Sequence, residues 1–541
     1  MKKYIYKRLL GYCLAVVVLL SSCNKLDQSP TNNFTDDNFW VSTDKAQLIL
    51  NMAYSQMYNA DKMFSDENLS DNLFQGRSAT DQRTIRNGQA TPALGMFSSS
   101  WENMYQGLKT CNIFLDKIDL VPDLDVAKKS RMIAEIRFIR AYQYFRLTNF
   151  YGDVPFFTTD ISLEESRTVS RTPYATVRKF IHEELEDIVK DLPSRNNLPV
   201  SENGRLTKGA AVAMNARAYL YEGNYEQVKL NCEKLINEQA VYGNYSLFGS
   251  YQGLFMPENE NNTEVIFDIQ YVPVLRTWSN LNYMAPISVG SPLNASAPTQ
   301  SLVDNYITVN GLNIADDPAY DVNNPYNESL RDPRLRATVV YDGFTWRKPD
   351  GTVTTINIRP GSGTADEYRT SSSNVTSTGY YTRKYYDPTS EAGFVSGLNI
   401  IMLRYADVLL MYAEAMMELS EMDQSIWDQT IRLIRQRAGF TSAAALNFPT
   451  HATDLRDIIR RERRSELALE GLRYFDIIRW KEGTKYLSGY VYGARFANNN
   501  TENIQLDYRA FNEQRDYLWS LPLDQMNLNT NLRPNNPGYS Y

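Results

Sequence analysis

Apolar residues recur three and four positions apart from Thr43 onward, at Ala46, Ile49, Leu50, Ala53, Met57 and Tyr58, and this period predicts an amphipathic helix. The pattern returns over 101–118, 126–150, 173–190, 207–222 and 224–238, then from Arg404 to Glu418 and from Ser425 to Ala438. Residues 61–100 are less regular and hold Asp71, Asn72 and Arg77 among glycines and serines. From 240 to 400 the helical period lapses, and Gly, Pro, Asn, Tyr and Ser dominate. Short strands are predicted at Glu264–Gln270 and Ala337–Tyr341. Asp350-Gly351 predicts a hairpin turn joining Phe344–Lys348 to Thr352–Ile358. A loop-rich segment of this length, set into a helical scaffold, is where ligand contacts are expected.

The pair 207–238 carries a repeat-like signature. Ala210, Ala213, Ala216 and Ala218 let two helices approach, Tyr219 plugs the crossing, and Gly223-Asn224-Tyr225 turns the chain. This resembles a tetratricopeptide helix pair. Arg404–Glu418 with Ser425–Ala438 is a second candidate, lacking the glycine turn. A third, 131–150 with 173–190, is interrupted by a long insertion after Tyr151-Gly152-Asp153-Val154-Pro155.

The other strong apolar pattern is at the start. Lys2, Lys3, Lys7 and Arg8 precede an apolar run from Leu9 to Leu20, short of the roughly 20 residues that span a bilayer. That predicts an export signal over 1–22. Leu20-Ser21-Ser22-Cys23 has the order of a bacterial lipobox, so Cys23 is the expected lipidation site and the anchor to a membrane. A polar tether over 23–36 then leads to a body spanning 37–541. Within that body a helical part to 240 and a loop-rich lobe over 240–400 precede a helical part over 400–541.

Charge and cysteines narrow the picture. Removing the leader's four cations takes the formal charge from -7 to -11, which disfavours nucleic acid as a partner. Beyond Cys13 and Cys23 only Cys111 and Cys232 remain, both in helical patterns and expected as buried free thiols. His182 and His451 have no second histidine near them, and no nucleophile elbow, phosphate loop or dinucleotide fingerprint is present. A binding protein is therefore expected, with no catalytic residue and no cofactor. Asp316, Asp317 and Asp321 read as solvated loop carboxylates, with a structural calcium ion as the alternative. In Arg460-Arg461-Glu462-Arg463-Arg464-Ser465-Glu466 the signs interleave at helical spacing, which predicts an ion-pair lock within the fold.

The run Glu462-Arg463-Arg464-Ser465-Glu466-Leu467-Ala468-Leu469-Glu470-Gly471-Leu472-Arg473-Tyr474-Phe475-Asp476-Ile477-Ile478-Arg479-Trp480 resembles the C-terminal signature of the SusD/RagB lipoproteins. Further pieces match in order. These are Arg137-Phe138-Ile139-Arg140-Ala141-Tyr142 with Tyr151–Pro155, Leu403-Arg404-Tyr405-Ala406-Asp407, and Leu518-Trp519-Ser520-Leu521-Pro522 with Asn536-Pro537-Gly538-Tyr539. The resemblance implies a mostly α fold, with four TPR-like helix pairs packed against an irregular loop-rich lobe with short strands. It also implies a hinged lid on the exterior of the outer membrane, partnered by a SusC-like TonB-dependent transporter. Such a lid captures oligosaccharides or polysaccharides for import and has no catalytic activity. Some relatives of this architecture capture peptides, which stands as the alternative.

A glycan site needs flat apolar faces for sugar C–H groups and a few fixed polar partners. In the irregular regions Trp278, Trp346, Tyr283, Tyr341 and Phe344 are the candidate platforms, led by the two tryptophans. Asp71, Asn72, Arg77 and Arg276 are the candidate polar partners.

Overall fold

The computed structural model describes residues 39–540 apart from 77–79, 349, 371–373, 391–392, 450–454 and 497–503. Cys23 with the leader and tether, Arg77 and His451 lie outside the described residues.

Among the described residues eight helices of thirteen residues or more form the scaffold: α1 (Thr43–Met57), α2 (Gly95–Lys117), α3 (Val126–Tyr151), α4 (Tyr174–Asp187), α5 (Lys208–Glu222), α6 (Tyr225–Asn237), α7 (Tyr405–Glu418) and α8 (Leu455–Leu467). Each packs on the next in chain order, giving a continuous series of adjacent helices in which α3 with α4 and α5 with α6 are the expected helix pairs, and α7 packs on α6 and α8. Local chemistry sets many of their starts. Ser42, Asp125, Thr207 and Asn224 each accept a backbone N–H with the side chain at a helix N-terminus. Gly223 ends α5 in the left-handed region, φ 71°, and Asn224 N–H returns to Tyr219 O at 3.0 Å. Ala210, Ala213, Ala216 and Ala218 of α5 are buried, and α5 packs on α6. Tyr219 stacks on His182 of α4 at 3.6 Å between ring centres.

Three expectations on elements are adjusted. α2 begins at Gly95, not near 101, because Asp81 Oδ2 accepts Met96 N–H at 2.6 Å and holds the added turn. The helix expected over Ser425–Ala438 breaks at Thr430 into Gln424–Gln429 and Ile431–Ala438. There the Thr430 hydroxyl donates to Ile426 O at 2.6 Å, a local bond that competes with helix propagation. Ala337–Tyr341 yields only the two-residue strand Val339–Val340, because the helix Pro333–Thr338 takes its first positions.

The irregular lobe is pinned by antiparallel strand pairs. β1 (Leu73–Gln75) pairs β3 (Ser296–Pro298), and β2 (Val265–Ile269) pairs β6 (Ile400–Arg404). β4 (Phe344–Arg347) pairs β5 (Val353–Ile356) as the turn at Gly351 predicted. β7 (Gly489–Tyr492) pairs β8 (Gln505–Arg509). The main hydrophobic core runs through helices and lobe together, from Trp40 to Leu532, and Ile307, Ala438, Phe440, Ala445 and Leu446 form a small second cluster.

The predicted ion-pair lock is present and buried. Arg404 reaches Glu264, Glu466 and Glu470, while Arg334 joins Asp332, Glu462 and Glu466. Arg463 bridges Asp407 and Asp476, and Arg479 clamps Glu414. After α8 the chain turns at Gly471, φ 75°, where an added Cβ would meet Tyr58 Oη at 2.8 Å and Met63 O at 3.0 Å. Only glycine meets both demands.

Cys111 and Cys232 are free and buried, as expected. Burial pushes the Cys111 thiol up to about 12 and Cys232 well above its ordinary value. Neither is expected to react with a maleimide in the native chain at neutral pH, whereas both should label after denaturation. Mass spectrometry of peptides from each state reads this directly.

Candidate functional site

β7 carries Tyr490 and Tyr492 on one face and Val491 on the other, the period-two pattern of a strand lying over a core. Tyr490 stands directly opposite Tyr508 of β8, with ring centres 5.0 Å apart. Tyr492 follows at 6.4 Å from Tyr490. These rings stay open to solvent: Tyr490 is 55% exposed, Tyr508 55% and Tyr492 39%. The three rings are inclined to one another, by 78° between Tyr490 and Tyr508 and 51° between Tyr490 and Tyr492, and together form an exposed aromatic platform of separate apolar faces and polar tips.

Tyr490 and Tyr492 line a cavity of about 330 Å³. Its other walls come from Gln300, Ser301 and Asp304, from Lys485, Tyr486 and Ser488, and from Asp71 and Arg509 at its buried end. Arg473 grips Asp71 through Nε at 2.8 Å and Nη2 at 3.2 Å, and Arg464 Nη2 lies 3.0 Å from the same carboxylate. Burial alone would raise the Asp71 carboxyl; Arg464 and Arg473 overcome it and hold it down to about 2. Gln300 is fixed by donating to Asp304 at 2.7 Å and accepting from the Tyr380 hydroxyl at 2.6 Å. The polar groups are therefore preformed, and their partners come from distant parts of the chain. A second cleft of about 500 Å³ lies between Trp101, Tyr105, Phe157, Leu163 and Leu528. Its buried polar group, Asn529, donates to the carbonyls of Ser166 and Val169.

The residues singled out from the sequence scatter. Asp71 lines the cavity, and Asn72 sits behind it, donating to Glu67 at 2.6 Å and accepting from Arg464 Nε at 2.8 Å. Tyr283 is 46% exposed but is not among the cavity's lining residues. Arg276 is half-buried and lies over the Tyr271 ring at 5.0 Å. The expectation that Trp278 and Trp346 present open faces is corrected, since both are buried. Trp278 packs on Phe64 and Tyr385 and donates from Nε1 to Leu398 O at 2.7 Å. Trp346 points inward from β4, between Tyr386 and the Arg383 guanidinium. Tyr341 and Phe344 are buried too: Tyr341 stacks on Tyr326 at 4.5 Å, and Phe344 packs against Tyr341 and Arg336. Core packing occupies the faces that a sugar would need.

The sequence reading missed Tyr490, Tyr492, Tyr508 and Arg509. One signal for them was available: the alternation Tyr490-Val491-Tyr492 between Gly489 and Gly493 marks a strand with an aromatic outer face. The loop aspartates serve their own turns. Asp316 accepts from Asn313 Nδ2, Asp317 from Ala319 N–H, and Asp321 from Asn323 N–H. Among the described residues no helix is long and apolar enough to cross a membrane.

Comparison with known proteins gives concordant matches. A family model described as "SusD family" matches residues 263–539, and one described as "Starch-binding associating with outer membrane" matches residues 25–220. A SusD-like protein of Formosa agariphila is 27% identical over 547 residues, covering 97% of this chain and 98% of its own. A SusD-like protein of Bacteroides ovatus is 24% identical over 498 residues, covering 86% and 80%. Among solved structures, a SusD-like carbohydrate binding protein of Bacteroides fragilis superposes with a TM-score of 0.82 at 30% identity, covering 92% of this chain and all of its own. A second SusD-like protein of that organism gives 0.77 at 27% identity, covering 93% and 99%. With the TPR-like scaffold, the buried C-terminal ion pairs and matches along nearly the whole length, this chain belongs to the SusD family.

Proposed function

We propose that this chain is a cell-surface glycan-binding lipoprotein that captures oligosaccharides and passes them to a SusC-like TonB-dependent transporter. The observation that carries the reading is the exposed trio Tyr490, Tyr492 and Tyr508 beside a cavity with preformed polar walls. Flat rings suit the C–H faces of sugars, and fixed donors and acceptors suit their hydroxyls. Support also comes from relatives. A segment of 162 residues is 30% identical to the starch-binding protein SusD of Bacteroides thetaiotaomicron, though this spans 29% of the chain and 27% of that protein. Binding, not catalysis, is the role.

In this reading Cys23 carries the lipid that holds the body to the outer face of the outer membrane, and the tether lets the body swing over the transporter. The test uses affinity gels that contain single polysaccharides and, in parallel, immobilised peptides. Retardation by at least one glycan and none by peptides is the expected result. Peptide binding without glycan binding would overturn the reading. Mild detergent extraction is expected to co-purify a large β-barrel, and a monomer under every detergent would remove the transporter from the proposal.

A further inference from the structure

The buried end of the cavity holds more positive charge than the fold uses. Arg509, 4% exposed, reaches the cavity wall from the inward face of β8. Its Nη2 donates to Leu73 O at 3.1 Å, its Nε has no partner, and no carboxylate pairs with it among the described residues. Arg86 lies behind it, equally buried, donating from Nη1 to that same carbonyl at 2.7 Å with Nε and Nη2 unpartnered. The nearby carboxylates are already engaged. Asp507 is taken by Arg83 at 2.8 Å and Asn87, and Asp71 by Arg464 and Arg473. Asp304, on the opposite wall, is held by Gln300 and Arg495.

A buried guanidinium without a counter-charge is disfavoured unless something supplies one. Burial pulls Arg509 down to about 10 against the opposing pull of Asp71 and Asp507, and burial together with the neighbouring Arg509 charge also lowers Arg86. The fold leaves this excess at the end of an open cavity, on a body whose net charge is negative. The guanidinium fork is the geometry that matches a planar or tetrahedral oxyanion.

We infer that the cavity takes an acidic sugar, whose carboxylate or sulfate ester lies against Arg509 while its ring face meets the tyrosine platform. This rests on the glycan reading above and narrows it to a charge class. The anion completes a site that a neutral sugar leaves with an unmatched cation. Lys485 at the rim is already shared with Glu482 at 3.4 Å and Asp457 at 3.9 Å, so Arg509 carries the attraction, which salt screens.

The test compares matched probes on the full chain by calorimetry. The probes are oligogalacturonate against its carboxyl-reduced form, and a sulfated galactan oligosaccharide against its desulfated form. At least one anionic member is expected to bind tenfold or more tightly than its neutral counterpart, with the advantage shrinking between low and high salt. Which pair shows the preference separates a carboxylate from a sulfate. Arg509→Gln is expected to abolish the preference, and Arg509→Lys to keep part of it. If Arg509→Gln does not fold, the matched pairs and the salt series on the unmodified chain decide. Equal binding of neutral and anionic members, or binding of a neutral glycan alone, overturns this inference and leaves the glycan reading standing. A preference that survives in folded Arg509→Gln overturns the assignment to Arg509. If neither these probes nor any polysaccharide is retained, both readings fall.

Discussion

Arg404→Met is expected to lower the unfolding free energy by about 3–5 kcal/mol, the range for removing one partner from a buried charge cluster. Arg404 is almost fully buried and is the hub of the lock. It donates to Glu264 at 2.7 Å, to the Glu466 side chain at 2.7 Å and its carbonyl at 2.8 Å, and to both oxygens of Glu470 at 2.8 Å. Methionine fills similar space but strands those carboxylates against the remaining Arg437, Arg334 and Lys384. Denaturant titration at neutral pH measures the loss; a change under about 1 kcal/mol would mean the lock is a by-product of the fold.

The same cluster sets an acid dependence. Burial raises Glu462, Glu466 and Glu470, but the surrounding arginines, with Lys384 at Glu470, overcome it and hold all three below their usual range. A carboxyl whose folded pKa is depressed binds fewer protons when folded. Its stabilisation is complete above the unfolded value near 4.5 and is lost as pH falls below that. Stability of the unmodified chain should therefore drop steeply on acidification below about pH 4.5. Arg404→Met should show a shallower drop, because less of that stabilisation remains to be lost.

The second large effect falls on ligand binding. Replacing Tyr490 and Tyr508 together by Ala is expected to weaken glycan affinity by about tenfold per ring, or about 1.4 kcal/mol each, as for exposed aromatic anchors of a binding surface. Both rings are more than half exposed, so the melting temperature should move little. Trp346→Ala should behave in the opposite way. It deletes a buried ring packed on Tyr386, costing about 3–5 kcal/mol, with binding lost only in proportion to unfolding. Measuring affinity and melting for both variants separates platform from core. If the tyrosine variant binds normally and Trp346→Ala loses affinity while folded, the site has been placed wrongly.

The difference between those aromatics shows where sequence reading stops. Both Phe344-Thr345-Trp346-Arg347 and Gly489-Tyr490-Val491-Tyr492 alternate, and alternation says that a strand has two faces without saying which one the core covers. In β4 the aromatic face turns inward, and in β7 the valine does. That choice is made by packing partners far away in the chain. Asp71 shows the same limit, because it looks like a free loop carboxylate until Arg464 and Arg473 arrive from some four hundred positions on.

What the sequence determined by itself is the set of features written in near neighbours. These are the helical period of α1 to α7, the Gly223 turn, the hairpin at Gly351, and the charges alternating at helical spacing from Arg460 to Glu466. Each depends on residues within a turn or two, where backbone geometry fixes who meets whom. Tertiary structure alone decided which aromatics remain open, which carboxylates are already engaged, and that Arg509 ends beside a cavity with no carboxylate in ion-pair contact among the described residues. Burial and charge balance are sums over whatever the fold brings within a few ångströms, and in this chain most of those neighbours are hundreds of residues apart.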